Sequence, residues 1–138
     1  MAHFSRMIGW GVVALSLIAP AATAGTPSPA GFPPVVVRTF PAAGDQNVDP
    51  SLTQIRVTFS KDMLTHEMWS WVLASPAPFP KIAGEVHYLK DKRTCVLPVS
   101  LEPGKTYGMW INSQEHTSFR DTHQNPAVPY LLTFKTRN

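Results

Sequence analysis

One cysteine, Cys95, stands in 138 residues, so the chain can close no disulfide of its own. It lies in "TCVLPV", alternating with Leu97 and Val99. That setting predicts a small buried hydrophobe rather than a reactive thiol, which needs an exposed, electropositive site. Charge is scarce too: Asp, Glu, Lys and Arg make up 15% of the chain, with a formal net charge of +3. Only Lys90, Lys92 and Arg93 gather, around Asp91 in a turn-like stretch. Without a basic stripe there is no nucleic-acid footprint.

Long apolar runs are also missing, apart from Met7 to Ala19. Pro20 interrupts that run short of the roughly 20 residues a spanning helix needs. Arg6 precedes it, and Ala22-Thr23-Ala24 follows before Gly25. A basic start, an apolar segment and small residues form a secretory signal, so residues 1–24 are expected to be removed after Ala24. The competing reading is a retained membrane anchor. No cysteine follows the small-residue site, so a lipid anchor is not expected. The mature chain should then be secreted or periplasmic, without a stable membrane span.

No window carries apolar residues at three-and-four spacing over three turns; only Met63 to Trp69 invites a short helical turn. What is present is proline, 14 of them, and short pieces of alternating polarity. Residues 25–34, "GTPSPAGFPP", hold four prolines and two glycines and read as an extended, unpacked linker. The domain proper spans 35–138. In "LTQIRVTFS", Ile55, Val57 and Phe59 alternate with Arg56 and Thr58, the period-two signature of a half-buried antiparallel strand. Comparable pieces are "VVVRTF" at 35–40, "WSWVLA" at 69–74, "GEVHYL" at 84–89, "RTCVLPV" at 93–99, "TYGMWIN" at 106–112 and "PYLLTFKT" at 129–136. Turn formers separate them. About seven short strands predict an all-β, immunoglobulin-like antiparallel sandwich. In "LEPGKTY", Tyr107 follows a turn at the spacing of a tyrosine corner, where the ring enters the core and the hydroxyl returns to the backbone.

Several motifs together resemble one family. "PPVVVRTFPAAGDQNVDPSLTQIRVTFSKDM" at 33–63, then "LEPGKTY", "FRDTHQNP" and "YLLTFKT", are similar to the bacterial Ig-like domain of the SbsA, S-layer protein type. The resemblance covers residues 33–137. It implies that Gly44 sits at a turn needing positive φ, that Val48 covers one end of the sandwich, and that Phe59 and Met63 fill the core beside a bend at Ser60–Asp62. It also implies a spacer or adhesion module outside the cytoplasm and no enzyme activity. Gln124 departs from the pattern, standing where the family has Gly.

Three constellations invite chemistry. Asp121, His123 and Asn125 alternate in "FRDTHQNP", and His66-Glu67 and Glu115-His116 are acid–histidine pairs. Zinc wants converging His, Cys or carboxylate groups, and calcium wants roughly six to eight oxygens, commonly from one loop. "DTHQNP" reads first as a turn in which Asp121 and Asn125 bond the backbone; Asp121 and His123 remain the metal candidates. No cofactor is expected, and no nucleophile elbow exists. Trp69 and Trp71 share one face of a strand, while Trp110 turns outward beside Met109 and Ile111. These tryptophans either stack on sugars or a partner protein, or pack into the sandwich. The leading expectation is a non-catalytic module for protein binding or envelope structure. Carbohydrate or cell-wall binding through Trp69, Trp71 and Trp110 is the alternative, and a metal-dependent enzyme the third reading. The partner, an envelope protein or a glycan, and the oligomeric state are not written in the sequence.

Overall fold

A computed structural model describes residues 14, 16–18 and 28–138. The expected signal segment, 1–24, therefore lies almost wholly outside the described residues. Among those described, eight strands form: β1 Val36–Phe40, β2 Gln54–Phe59, β3 Trp71–Leu73, β4 Lys81–Ile82, β5 His87–Tyr88, β6 Thr94–Ser100, β7 Thr106–Ile111 and β8 Tyr130–Lys135. They make two antiparallel sheets. One runs β1-β2-β6-β4, with β5 also pairing β6, and the other runs β3-β7-β8. The chain is thus the all-β sandwich that the alternating pieces predicted, with one two-residue strand, β4, beyond the seven expected.

Period-two burial explains the layering. In β2, Ile55, Val57 and Phe59 are buried while Gln54, Arg56 and Thr58 lie between water and neighbours. β6 answers with Cys95, Leu97 and Val99, and β7 with Tyr107, Met109 and Ile111, all in one core. Phe59, Met63, Phe119 and Phe134 fill the middle. Cys95 is fully buried, and burial pushes its thiol up to about 12, which leaves it inert at neutral pH.

Tyr107 is buried, its ring tilted against Phe134 at 5.6 Å between centroids. The Glu102 amide donates to its hydroxyl at 2.9 Å. Tyr107→Phe should keep the ring and orphan that amide, costing about 1–2 kcal/mol. Thermal unfolding of the variant reads this directly, as a fall of roughly 4–8 °C per kcal/mol. Gly44 has φ 81°, a left-handed turn position, and donates to Thr133 O at 2.7 Å. Val48 pairs with Thr136 and is buried. Together they lay residues 44–48 along the outer edge of β8 and close it.

Two expectations need correction. Met63 to Trp69 holds no helical turn; its backbone is already engaged, with Met63 N–H donating to Lys92 O and Leu64 N–H to Arg120 O, both at 2.9 Å. Glu67, at φ 52°, is also left-handed. Nor is the described part of the proline-rich linker unpacked. Ser28 caps a single 3-10 turn at Pro29–Gly31, Pro34 is buried, and Val128 N–H donates to Pro34 O at 3.0 Å. Proline removes N–H donors but leaves carbonyls, and the domain donates to them from the Val128 amide and the Lys61 and Asn125 side chains.

Candidate functional site

Two places gather the singled-out residues. The first is the corner formed by residues 119–127. Phe119 anchors it, fully buried, 5.1 Å from Phe59 and 5.6 Å from Trp71 between ring centroids. Next comes Asp121, also fully buried. Its Oδ1 accepts from the amides of His123 at 2.8 Å and Asn125 at 3.0 Å. Its Oδ2 accepts from Asn125 Nδ2 at 3.0 Å and from the Lys61 ammonium at 2.6 Å. Desolvation works to raise the carboxyl, but the hydrogen bonds from Lys61, Asn125 and the two amides outweigh it and hold it at about 2.

That geometry decides what Asp121 does. Its cation is Lys61, which also donates to Pro29 O at 3.0 Å and Phe32 O at 2.7 Å. Asn125 Nδ2 donates to Ala30 O at 2.8 Å. The corner therefore holds the 28–34 segment as a strap, seated by one carboxylate. His123 is exposed, and its ring approaches only the Thr122 hydroxyl, at 3.5 Å. The structure does not bring it to Asp121 as a second ligand. His66-Glu67 and Glu115-His116 are exposed on separate loops, and no group of three metal-ligating side chains converges among the described residues. Gln124 has φ 69°, the left-handed geometry that glycine adopts without strain. Gln124→Gly should therefore raise stability by roughly 0.5–1 kcal/mol, read as a higher urea midpoint at unchanged slope.

Asn112 was not singled out from the sequence. It is fully buried at the end of β7, with φ 58°. Its Nδ2 donates to Phe119 O at 2.9 Å and Ala127 O at 3.0 Å, while its Oδ1 accepts from the Phe119 amide at 2.9 Å. One side chain thus ties β7 to both ends of the Asp121 corner. The available signal was an Asn closing a strand: it tolerates left-handed dihedrals and carries a donor and an acceptor.

The second place is the side of the sandwich where the sheets end in β3 and β4. Trp69 and Trp71 are partly buried against the core, Trp71 standing edge-on to Phe119. They line an open groove of about 570 Å³ with Leu73, Phe79, Ile82 and Val86. Trp110 lies on the opposite face of the β3-β7-β8 sheet, lining a groove of about 550 Å³ with Ser113 and Pro129 that meets the first at Val72, Leu73 and His116. The three tryptophans therefore form no single platform.

Two antiparallel sheets over one apolar core, with a tyrosine corner, define an Ig-like sandwich domain. The bacterial Ig-like domain family Big_5 matches residues 31–136, and the chain belongs to that family. Such domains are in general non-catalytic and extracytoplasmic. Among solved structures the chain is similar to the S-layer protein rSbsC, at 19% identity and a TM-score of 0.48, over 77% of this chain and 14% of that one. The chain thus spans about a seventh of that protein's length. No curated protein matches it.

Proposed function

We propose that this chain is a non-catalytic extracytoplasmic module that binds a protein of the cell envelope, reaching that compartment through a signal removed after Ala24. One observation supports this reading most. Leu73 pairs with Met109, and Ile82 with Val99, so both share the inward faces of core residues. Yet Leu73 is 59% and Ile82 55% exposed. Inward-directed apolar side chains in water are an unfinished core, and a partner finishes it. The test is capture from the envelope fraction on immobilised mature protein, with amino-terminal sequencing of the natural product. A clean capture lane, or a start before Gly25, overturns the corresponding half. Carbohydrate binding is the second reading, favoured by Trp69 and Trp71 in one groove. It requires tryptophan fluorescence to respond to envelope glycans, and a flat titration removes it.

A further inference from the structure

We infer that the open side of the sandwich receives an extended polypeptide segment of a partner protein, added as a strand to the free edge of β3. This rests on the protein-binding reading and names its site and the partner's shape. The edge's hydrogen-bond alternation comes first. Asn112 N–H donates to Ser70 O at 3.0 Å, and Ser70 lies opposite Asn112 in the continued β3–β7 register. In an antiparallel ladder, opposed residues alternate between bonded and non-bonded pairs. Ser70 and Val72 therefore turn their backbone groups to β7, and Trp71 and Leu73 turn theirs to the open side. Among the described residues, no backbone hydrogen bond from a loop or turn reaches either of them.

The facing edge repeats this. Ala83 N–H donates to Pro98 O at 3.0 Å, so Ile82, between Ala83 and Lys81 on β4, turns its groups away from β6. Between the two lips lies the groove floored by Leu97, with Trp69, Trp71, Phe79 and Val86 around it. From the β3–β4 connection, Phe79 forms part of the groove wall. Ala77 is packed where Gly108 leaves room on the other face of β7; a Cβ added at Gly108 would lie 2.9 Å from Ala77.

The occupant follows from these two needs. Unpaired N–H and C=O groups along a strand are matched by another extended backbone, and a sugar ring or a compact apolar ligand does not supply that ladder. The uncovered Leu73 and Ile82 call for apolar side chains at every second position, the spacing with which a strand presents one face. A segment of about five residues, an ordinary strand, is enough. So small a contact belongs with transient recognition rather than permanent assembly.

Leu73→Pro is the discriminating variant. The Leu73 N–H faces the open edge, so proline there removes no bond to β7 while blocking the incoming ladder. Leu73→Lys is the second variant, keeping the N–H and placing a charge on the lip. The probe is a set of binders selected from a phage-displayed dodecapeptide library on the full mature chain. Expected are peptides with apolar residues at alternate positions that slow amide exchange at Trp71 and Leu73. Methylation of every second peptide nitrogen should abolish binding in one frame and spare it in the other. Both variants, with melting curves close to the parent, should lose at least roughly tenfold in affinity. Peptides insensitive to both variants, or indifferent to N-methylation, overturn the site. Concentration-dependent protection of the same amides without peptide makes a second copy the occupant and also overturns it. Envelope capture that survives Leu73→Pro unchanged sinks this inference while leaving the protein-binding reading intact; no capture by either protein sinks both.

Discussion

Asn112→Asp is expected to lose about 3–5 kcal/mol, the cost of an uncompensated buried charge. The change is nearly isosteric, which isolates the chemistry. The amide now places two donors on the carbonyls of Phe119 and Ala127. A carboxylate has none, so oxygen would face oxygen at about 3 Å in a site without water access. Aspartate tolerates the left-handed backbone as asparagine does, so strain contributes little. The fall in Tm should be roughly 12–40 °C at neutral pH.

A pH series sharpens the test. Protonation would return one donor to the introduced carboxyl, so the folded variant should hold a proton more tightly than the unfolded chain. Its stability should therefore rise as pH falls from 8 toward 5, relative to the parent. Asn112→Gly, which accepts φ 58° without strain and adds no charge, should be less damaging. Equal melting of all three proteins across that range would show that the tie carries no stability.

What was legible in the sequence and what was not divides along the range of the interactions. Ile55, Val57 and Phe59 announce β2 because burial of one strand face leaves a two-residue period in the strand itself. Tyr107 is legible for a similar reason: its hydrogen-bond partner, Glu102, is five residues away. Lys61 is the opposite case. Its contacts lie 29 and 32 residues upstream and 60 downstream, so nothing near it records that a proline-rich segment docks there. The misplaced helical turn at 63–69 has the same cause: distant carbonyls of Lys92 and Arg120 take the amides that a local helix would have used.

The open groove shows a different limit. "WSWVLA" suggested six strand residues, and three of them pair. Periodicity put Trp69 and Trp71 on one face but carries no information on whether the opposite sheet extends far enough to cover it. The tryptophans were ambiguous for that reason. Trp69 and Trp71 belong to the core layer and are uncovered only because β3 and β4 are short, whereas Trp110 is outward by register. In "FRDTHQNP" the alternation of Asp121, His123 and Asn125 did not tell ligands from a turn. The distinguishing residue, Lys61, is far away in sequence.

Asp121→Ala should be comparably damaging, about 3–5 kcal/mol at neutral pH, because it strands the partners of a buried charge. Two backbone amides, the Asn125 side chain and the Lys61 ammonium all lose their acceptor at once. The acid limb gives the effect a signature. The folded carboxyl sits at about 2, below the value of about 3.9 for an unfolded aspartate. Its contribution is therefore fully present above the unfolded pKa and is lost as pH falls through the folded one, between about pH 4 and pH 2. Urea unfolding of the parent should weaken across that window by more than the variant does, so the two curves converge. Lys61→Met separates the strap from the turn: Asp121 keeps its amide donors and Asn125, while Pro29 O and Phe32 O lose theirs. Amide exchange at Ala30, Gly31 and Phe32 should then accelerate ahead of the core, with β2 and β6 protected. Parallel pH curves for parent and Asp121→Ala, or exchange at Ala30, Gly31 and Phe32 unchanged in Lys61→Met, would show that the corner neither stabilises the sandwich nor holds the strap.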